Sequence, residues 1–462
     1  MYRVSSMIRR VIALGTLVVV LLCGATPASA FVVIDADIYG WITDTETGEG
    51  IDGATVWLYY FDSQWGWLYP FDTTTVSSGY YSFKGLSSGT EYYMQVTHPR
   101  YRRNARATGW TGPTVRADLA LRPLVQRIWG NNRYSTAEAI TRKVWSGGGT
   151  QWPTVTDVVI ASGEDRASAD PLAAAGLCWL YDAPLFLVSS TQVPGEVKEA
   201  IRQIAVARHP GRIALHVVGG TTSIPAARIR EITDYATAGT TDPDIDRVLS
   251  SGDRYDLAAA IALRMKQKSL SQGKLFPSEI LIANGADPTK FFDALALSTI
   301  SALRGNPILL VSVDNLPSAT ASALALLGPS RVIVGGGPNT VGGNVFGDLG
   351  LLAPSVERWW GSNRYSTAIA IADKASTELS PPTLMYDFIG TASKIPDALA
   401  GGAFLGHYGG MLVLTKGNEV PAETAAWLEA HDAENGAACY VFGGPNSVSE
   451  SVREKLTDIL VH

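Results

Sequence analysis

A seven-residue stretch that recurs along the chain limits what this sequence can fold into. Gly-Asn-Asn-Arg-Tyr-Ser-Thr occupies Gly130–Thr136, and Gly-Ser-Asn-Arg-Tyr-Ser-Thr occupies Gly361–Thr367, 231 positions later. A weaker copy, Ser-Gly-Asp-Arg-Tyr-Asp-Leu-Ala, lies between them at Ser251–Ala258. The Arg-Tyr pairs are spaced by 121 and 110 residues, which is the size of a domain rather than of a solenoid unit. The chain is therefore expected to contain one domain copied three times.

Two further features follow each Arg-Tyr pair in the same order. The first is an aspartate that begins a run of small residues, 36, 38 or 32 positions after the tyrosine. The second is an apolar run that ends in two glycines, 49, 42 or 46 positions after the aspartate. A constant order with gaps that drift by a few residues is typical of repeats with variable loops. The recurring residues are Arg133, Tyr134, Asp170, Gly219 and Gly220; Arg254, Tyr255, Asp293, Gly335 and Gly336; and Arg364, Tyr365, Asp397, Gly443 and Gly444.

Within each copy, continuous apolar runs alternate with helical patterns. In the first copy, Asp-Val-Val-Ile-Ala-Ser, Pro-Leu-Phe-Leu-Val and Ala-Leu-His-Val-Val-Gly-Gly predict three buried strands. In the helix after Arg-Tyr, Ala137, Ile140 and Val144 share one face, and Ser135 with Glu138 fits a capping box. Buried strands that alternate with helices indicate a parallel sheet covered on both faces, a Rossmann-like three-layer α/β fold.

The segment before the repeats has a different pattern. Short runs of β-branched and aromatic residues are separated by turn sequences such as Thr-Glu-Thr-Gly-Glu-Gly and Val-Ser-Ser-Gly. This pattern predicts a small all-β domain, an antiparallel sandwich. Trp65, Trp67 and Tyr69 are its candidate contact residues, because loop aromatics can stack on sugar rings or anchor a partner. The alternative is that these rings fold back onto the sandwich.

The first thirty residues are typical of an export signal. Arg3, Arg9 and Arg10 precede an apolar run that is short for a bilayer span, and Ala-Ser-Ala at 28–30 fits a cleavage site. A short membrane anchor is the alternative. No second hydrophobic span is present, so no membrane span is expected after cleavage. The predicted boundaries are 1–30 for the signal peptide, 31–122 for the sandwich, and 123–240, 241–353 and 354–462 for the repeats.

The three copies resemble the cell wall binding repeat 2 family. Units of that family begin with a Gly-x-Asn-Arg-Tyr-like stretch and continue with strand-Ala-Ser-Gly, Asp-Ala-Leu-Ala, Pro-Ile-Leu-Leu and Gly-Gly, which this chain repeats from residue 125 to its last residue. The resemblance implies that the repeats assemble as a pseudo-threefold block. It also implies a secreted cell-surface protein attached non-covalently to an anionic wall polymer of Gram-positive-type cells, a secondary polysaccharide or a teichoic-acid-like chain.

The preceding segment resembles the carboxypeptidase regulatory-like domain, a transthyretin-like β-sandwich. The resemblance covers about ninety residues and rests on the order of the glycines and on Tyr80 and Phe83. Domains of this kind are spacers or modules that bind carbohydrate or protein. The sandwich is therefore expected to be a stalk, with binding of a carbohydrate or protein ligand as the alternative.

Two roles are open for the Arg-Tyr pairs. Each arginine can hold a phosphate or carboxylate of a wall polymer with two hydrogen bonds, while the tyrosine stacks on a sugar. Each arginine can instead pair with an aspartate of the same or a neighbouring copy and lock the copies together. The copies also differ, since Asp253 replaces an asparagine, Pro171 follows one aspartate and Gly409-Gly410 replaces an expected proline. These differences argue against three strictly equivalent binding sites.

The other recurring residues have structural as well as binding interpretations. Asp170, Asp293 and Asp397 are expected to cap the small-residue helices, with polymer binding or locking of the repeats as alternatives. The glycine pairs are candidate anion-binding loops. They do not form a dinucleotide fingerprint, because Thr340 stands where the third glycine is needed. No cofactor and no metal are expected.

Charge and the missing catalytic motifs exclude several classes of function. The net charge of −6 argues against a nucleic-acid binder. From residue 125 onward the chain has 27 basic and 33 acidic side chains, so polymer binding has to be local or bridged by cations. Cys178 and Cys439 lie in apolar runs typical of buried thiols, and the histidines do not recur with the repeats. The prediction is a non-enzymatic wall anchor. An enzyme acting on wall carbohydrate, or an adhesin whose sandwich binds an external ligand, is the alternative.

Overall fold

The computed structural model of the chain describes residues 2–3, 35–62, 67–87, 92–108, 114–152, 154–237, 242–249, 251–379, 388–431 and 438–461. These residues form two compact units, 1–124 and 125–462, and each is described by itself. Apart from Tyr2–Arg3, the predicted signal peptide lies outside the described residues. In the described ranges, no helix combines the length and the apolar character that a membrane crossing requires.

The N-terminal unit consists of two β-sheets. Its strands are β1 (Tyr2–Arg3), β2 (Asp35–Asp44), β3 (Thr55–Asp62), β4 (Trp67–Thr75), β5 (Tyr80–Ser87), β6 (Tyr92–His98), β7 (Tyr101–Thr108), β8 (Thr114–Arg116) and β9 (Leu119–Leu121). The order β1-β4-β3-β6-β7 is antiparallel throughout. In the second sheet, β5-β2-β8, the strands β8 and β9 run parallel to β2. This sheet is therefore mixed, and the expectation of a purely antiparallel domain is wrong.

One apolar core lies between strands of both sheets. Ile38 and Ile42 of β2, Phe83 of β5, and Val56 and Leu58 of β3 are each at most 4% exposed. Alternate residues of a strand point to opposite faces of its sheet, so each strand contributes every second residue to this core. The alternating pattern in the sequence reflects this arrangement.

The second unit contains three repeats with the same element order. The first has β10 (Val125–Ile128), α1 (Arg133–Trp145), β11 (Asp157–Ser162), α2 (Ala169–Ala173), α3 (Ala175–Tyr181), β12 (Leu185–Val188), α4 (Gly195–Arg208), β13 (Ala214–Val218) and α5 (Ala226–Ala236). The second has β14 (Asp244–Arg247), α6 (Arg254–Ser271), β15 (Glu279–Asn284), α7 (Phe291–Arg304), β16 (Ile308–Val311), α8 (Ser318–Leu327), β17 (Arg331–Gly335) and α9 (Gly343–Gly350). The third has β18 (Val356–Trp359), α10 (Arg364–Glu378), β19 (Phe388–Ala392), α11 (Ile395–Ala398), α12 (Gly401–Tyr408), β20 (Met411–Leu414), α13 (Ala422–Ala430), β21 (Ala438–Phe442) and α14 (Glu450–Leu460).

Each repeat completes its parallel sheet with a strand from another repeat. The three sheets have the orders β12-β11-β13-β14, β16-β15-β17-β18 and β20-β19-β21-β10. The first strand of the second repeat thus joins the sheet of the first, and the first strand of the third joins the sheet of the second. Strand β10, at the start of the first repeat, pairs with β21 of the third. The repeats therefore close into a ring with threefold pseudo-symmetry, and every sheet crosses a predicted boundary between repeats.

The small-residue helices pack against one another in this ring. Helix α7 contacts both α3 and α12, and α12 contacts α3. A Cβ on Gly402 would lie 2.0 Å from the hydroxyl oxygen of Ser298, and one on Gly406 would lie 2.5 Å from the Cβ of Ala302. The runs of small residues after each recurring aspartate therefore permit close approach of helices from different repeats.

The helix after each Arg-Tyr pair begins at the arginine itself. Its N-cap is Asn132, Asp253 or Asn363, whose side-chain oxygen accepts from the N–H groups of the second and third helical residues. In α1 the capping box joins Asn132 to Ser135. The predicted box of Ser135 and Glu138 is wrong because the helix begins earlier than expected, and Glu138 instead forms an ion pair one turn along the helix.

Candidate functional site

The recurring residues meet at three junctions between repeats. In an open parallel sheet, ligands bind beyond the carboxyl ends of the strands where the strand order reverses, which here lies between β11 and β13 and their counterparts. The helix that contains the recurring aspartate of one repeat contacts the helix that begins at the Arg-Tyr pair of the next repeat. The contacting pairs are α2 with α6, α7 with α10, and α11 with α1. We call these contacts the first, second and third junctions. Their marked residues are Asp170, Gly219, Gly220 and Arg254; Asp293, Gly336, Gly337 and Arg364; and Asp397, Gly443, Gly444 and Arg133.

Arg133 is held by its own repeat. Its guanidinium donates to the carbonyl oxygen of Gly163 at 2.9 Å and forms an ion pair with Asp165. An ion pair with an aspartate was one of the two roles inferred from the sequence. The partner, however, is Asp165 in the loop after β11 rather than a recurring aspartate.

The other two arginines of the Arg-Tyr pairs have different surroundings. Arg254 donates to the carbonyl oxygens of Gly285, in its own repeat, at 2.5 Å and of Arg166, in the first repeat, at 3.2 Å. Arg364 is exposed, and its guanidinium carbon lies 4.3 Å from the centre of the Phe292 ring. Within the described part of the chain, Arg364 makes no hydrogen bond and no ion pair. The three arginines are therefore not equivalent.

The tyrosines of the Arg-Tyr pairs are half-buried. Burial raises the pKa of the Tyr134 and Tyr255 hydroxyls above the ordinary value. A Cβ on Gly163 would lie 2.6 Å from the ring of Tyr134, so this ring packs directly on the loop that Arg133 also contacts. Tyr365 is half-buried as well. These rings therefore expose only part of their surface to a ligand.

A second set of recurring arginines, which the sequence analysis did not single out, joins the repeats. Arg358 of β18 donates to the carbonyl oxygens of Gly336 and Val341, both at 2.8 Å. Strand β18 of the third repeat completes the sheet of the second repeat, and Arg358 bonds this strand to the loop that follows β17 in that sheet. The equivalent residues are Arg247 with Gly219 and Ile224, and Arg127 with Gly443 and Ser449.

These three arginines lock the repeats in the way suggested for the Arg-Tyr arginines. Burial lowers the pKa of Arg247 and Arg358 from the ordinary arginine value, which reflects how far each guanidinium is removed from water. A signal for them was present in the sequence. Arg127, Arg247 and Arg358 stand six or seven positions before the Arg-Tyr arginine of their repeat.

The recurring aspartates do not cap the helices they precede. Each helix begins one or two residues before the aspartate, and no side chain caps it, so the capping expectation is wrong. Asp170 and Asp293 are both 7% exposed. Burial raises the pKa of Asp170 to about 7 and of Asp293 to about 6, more than the nearby Arg254 and Arg364 lower them. Asp397 is half-buried.

The raised pKa of Asp170 predicts a pH-dependent effect of its replacement by asparagine. The folded chain holds this proton more tightly than the unfolded chain, so the carboxyl group lowers stability progressively as pH rises from the ordinary pKa near 3.8 to about 7, and the loss is complete above that. We expect Asp170→Asn to change the Tm little at pH 4 and to raise it at pH 8, by the equivalent of about 1–3 kcal/mol. Thermal denaturation across this pH range measures the effect, with the exposed Asp314→Asn as the control. A variant less stable than the parent at pH 8 would contradict the prediction.

The first glycine of each pair adopts a conformation that other residues resist. Left-handed φ angles of 133°, 105° and 110° occur at Gly219, Gly336 and Gly443. In addition, a Cβ on Gly336 would lie 2.4 Å from a carboxylate oxygen of Asp293. Gly335 is the last residue of β17, so the pair equivalent to the others is Gly336-Gly337. The predicted pair, Gly335-Gly336, is wrong by one position.

The N–H groups of these glycines limit their use as anion-binding loops. The N–H of Gly336 donates to the carbonyl oxygen of Trp359 at 3.0 Å, and that of Gly443 to the carbonyl oxygen of Ile128 at 3.1 Å. Both acceptors belong to inserted strands, β18 and β10. Because these two N–H groups already donate to backbone carbonyl oxygens of β18 and β10, they are not available to an anion. An anion bound there would need side-chain donors nearby.

A pocket of about 320 Å³ lies at the second junction. Lys290 and Asp293 of the second repeat line it together with Trp360 and Arg364 of the third. The indole of Trp360 is 48% exposed and packs on Gly337. Among the described residues, the ammonium group of Lys290 has no hydrogen-bond or ion-pair partner. The pocket therefore combines two uncommitted cations with an exposed indole.

The candidate contact residues of the N-terminal unit are only partly described. Trp65 lies outside the described residues, and Trp67 and Tyr69 lie in β4 with side chains that are not described. On the mixed sheet, Trp41 and Tyr80 sit opposite each other on β2 and β5, with ring centres 5.3 Å apart. Their exposed fractions are 36% and 43%. Trp57 of β3, on the other sheet, is 38% exposed, so exposed aromatic rings are described on both sheets of the unit.

The described residues include no evident metal site, and their two thiols are buried. Among them, no group of three or more His, Cys, Asp and Glu side chains is placed to hold a metal ion. Cys178 and Cys439 are free and buried, and burial raises the pKa of both thiols to about 12. The prediction of buried thiols is confirmed.

The comparison with protein families agrees with the three repeats. The sequence model of Cell wall binding domain 2 (CWB2) matches residues 127–228, 249–346 and 358–453, once in each repeat. N-acetylmuramoyl-L-alanine amidase LytC of Bacillus subtilis (strain 168) is 28% identical over 349 residues, 76% of this chain and 60% of that protein. The amidase enhancer of the same organism is 24% identical over 335 residues, 72% of this chain and 40% of that protein. The chain thus spans 60% and 40% of the lengths of these relatives.

Two solved structures share the fold. Cwp6 from Clostridium difficile has a TM-score of 0.60 at 15% identity, covering 92% of this chain and 68% of that one. Cwp8 from Clostridium difficile has a TM-score of 0.59 at 17% identity, covering 80% of this chain and 59% of that one. At these identities the likeness concerns the fold alone.

Proposed function

The chain belongs to the Cell wall binding domain 2 family, and we propose that its three repeats attach it non-covalently to an anionic polymer of a Gram-positive-type cell wall. The single observation that carries this proposal is the closed ring of three such repeats, in which the second junction brings two cationic side chains and an exposed indole together. We further propose that the chain is exported, with residues 1–30 as its signal peptide.

The chemistry of the junctions supports an anionic sugar polymer as the ligand. The repeats carry more acidic than basic side chains, so attraction has to come from local groups. Lys290 and Arg364 supply such groups at the second junction. Trp129 and Trp360 are each 48% exposed, and an indole face packs well against a sugar ring. A sugar that bears a phosphate or a carboxylate matches both features.

We propose that the chain anchors without catalysing a reaction. LytC is named as an amidase and the second relative as an amidase enhancer, but both match this chain through the wall-binding repeats and extend well beyond the match. The similarity therefore supports a shared attachment module. A wall-hydrolysis assay that showed turnover by the purified chain would favour the enzymatic alternative.

The N-terminal unit is proposed to be a carboxypeptidase regulatory-like sandwich that the repeats display as a spacer. Its two sheets around one core support this proposal. An adhesive role is the second candidate, and the exposed pair Trp41 and Tyr80 is the observation that favours it. Binding of an external ligand that is lost in Trp41→Ala would support that role.

Binding to walls with and without their secondary polymers tests the anchoring proposal. We expect the mature chain to sediment with intact walls and to remain in solution with peptidoglycan from which these polymers have been extracted. Bound protein is expected to fall as salt is raised, because contacts between exposed charges are screened. Equal retention on extracted peptidoglycan would identify a different ligand. Failure to bind either preparation would contradict wall anchoring.

A further inference from the structure

We propose that, of the three pseudo-equivalent junctions, the second is the one that binds the wall polymer. The ligand is a sugar unit bearing a phosphate or carboxylate, held by Arg364 and Lys290 with its ring against Trp360. This inference rests on the proposed anchoring function and assigns it to one place in the ring.

The length of one loop explains why Arg364 is uncommitted. The strand registers make Ser162, Asn284 and Ser393 equivalent, at or just after the ends of β11, β15 and β19. Seven, eight and three residues separate them from the recurring aspartates that follow. The two longer loops supply the glycine carbonyl oxygens that hold the arginines of their own repeats. In the third repeat the loop is shorter, Lys394 stands at the position of these glycines, and no carbonyl oxygen of a described residue accepts a hydrogen bond from Arg364.

The first junction lacks the groups that would bind an anionic sugar. Arg254 is committed to two carbonyl oxygens, one of them across the junction. In the repeat alignment, Leu249 takes the place of the exposed tryptophan and the buried Ala167 takes the place of Lys290. Arg166 is nearby but pairs with Glu164. This junction therefore holds repeats together and offers neither a free guanidinium nor an indole.

The third junction has the exposed indole, but its arginine is paired. Trp129 matches Trp360, and its ring packs on the second glycine of the pair in the same way. Arg133, however, is neutralised by Asp165. Lys394, at the position of Lys290, donates to the carbonyl oxygen of Asn446 at 3.4 Å. Both cations of the third junction therefore have partners among the described residues, unlike Arg364 and Lys290 of the second.

The second junction has two cations without partners among the described residues, Arg364 and Lys290, and an exposed indole, Trp360. The Arg364 guanidinium packs on the Phe292 ring, and its N–H groups have no acceptor among the described residues, so they are available for a bidentate contact with a phosphate or carboxylate, which is a strong form of hydrogen bonding. Lys290 adds a second cation to the lining of the same pocket. Trp360 provides the surface for a sugar ring. Because Lys290 belongs to the second repeat and Trp360 and Arg364 belong to the third, the site exists only where these two repeats are docked.

Matched arginine substitutions in the full chain test this assignment. Sedimentation with isolated walls gives the affinity of each variant, and circular dichroism checks its folding. We expect Arg364→Ala to weaken wall binding about tenfold or more, since a hydrogen-bonded charge contributes about 1.5–3 kcal/mol. Lys290→Ala and Trp360→Leu should each weaken it by a smaller factor. The double variant Arg133→Ala/Arg254→Ala should bind within about threefold of the parent, and Arg364→Lys should recover part of the loss.

The outcomes separate this inference from the anchoring proposal. If the parent chain binds walls but the Arg133/Arg254 double variant loses as much affinity as Arg364→Ala, the assignment to one junction is wrong and anchoring stands. Undiminished binding of a folded Arg364→Ala variant would overturn the assignment in the same way. If the parent chain does not bind, both proposals fail.

Discussion

Replacing Arg358 with alanine is expected to destabilise the ring of repeats by about 3–5 kcal/mol. The guanidinium is the donor to two carbonyl oxygens, those of the buried residues Gly336 and Val341. Each buried acceptor that loses a charged donor costs about 1–3 kcal/mol, because no other group replaces the bond. The side chain also packs over Phe346, at 4.7 Å from the ring centre, and that contact is lost as well.

Urea denaturation of the full chain gives the free energy of unfolding for this test. Arg358→Lys should fall between the parent and the alanine variant, because an ammonium group keeps the charge but cannot span two carbonyl oxygens as a fork does. Arg230→Ala is the matched control, since Arg230 is exposed on α5. A loss below about 1 kcal/mol for Arg358→Ala would mean that the backbone pairing of β18 suffices to hold the second and third repeats together.

The same change, glycine to alanine, is expected to have opposite effects at two helical positions. At Gly406 of α12, the added Cβ would lie 2.5 Å from the Cβ of Ala302 and 2.8 Å from the backbone nitrogen of Leu303 on α7. Because backbone atoms cannot move aside, the helices must separate, at a cost of about 2–4 kcal/mol. At Gly347 of α9 no heavy atom lies within 4 Å of the added Cβ, and alanine should raise stability by about 0.5–1 kcal/mol.

Thermal denaturation of the two variants measures this contrast. The Tm should fall for Gly406→Ala and rise for Gly347→Ala, relative to the parent chain. The contact between α7 and α12 joins the second repeat to the third, so the first result reports on the docking of these two repeats. An unchanged Tm in Gly406→Ala would contradict the close packing of these helices.

Much of the repeat fold could be predicted because its signals are local. Continuous apolar runs such as Ile308–Val311 mark buried parallel strands, and the runs of small residues after each aspartate mark helices that approach closely. The recurrence of Arg-Tyr indicated three copies before any contact was known. The site was predicted less well. Asp170 and Asp293 were recognised as recurring, but their capping role was wrong, since helix starts depend on cap geometry that shifts by one or two residues.

The sequence alone determined the number of repeats, their element order, their family and the residues that recur in them. The tertiary structure alone decided how these repeats are joined and which arginines do the joining. Strand β10 pairs with β21, more than three hundred residues away, and Arg127 bonds to the loop that follows β21. The physical reason is that periodicity and capping act over a few residues, whereas strand exchange depends on closing a ring. Arg133, Arg254 and Arg364 have nearly the same local sequence, but Arg133 and Arg254 are held by loops of their own repeats, whereas Arg364 lies against Phe292 of the second repeat. Tertiary packing brings these groups together, and the short-range patterns of the sequence do not specify it.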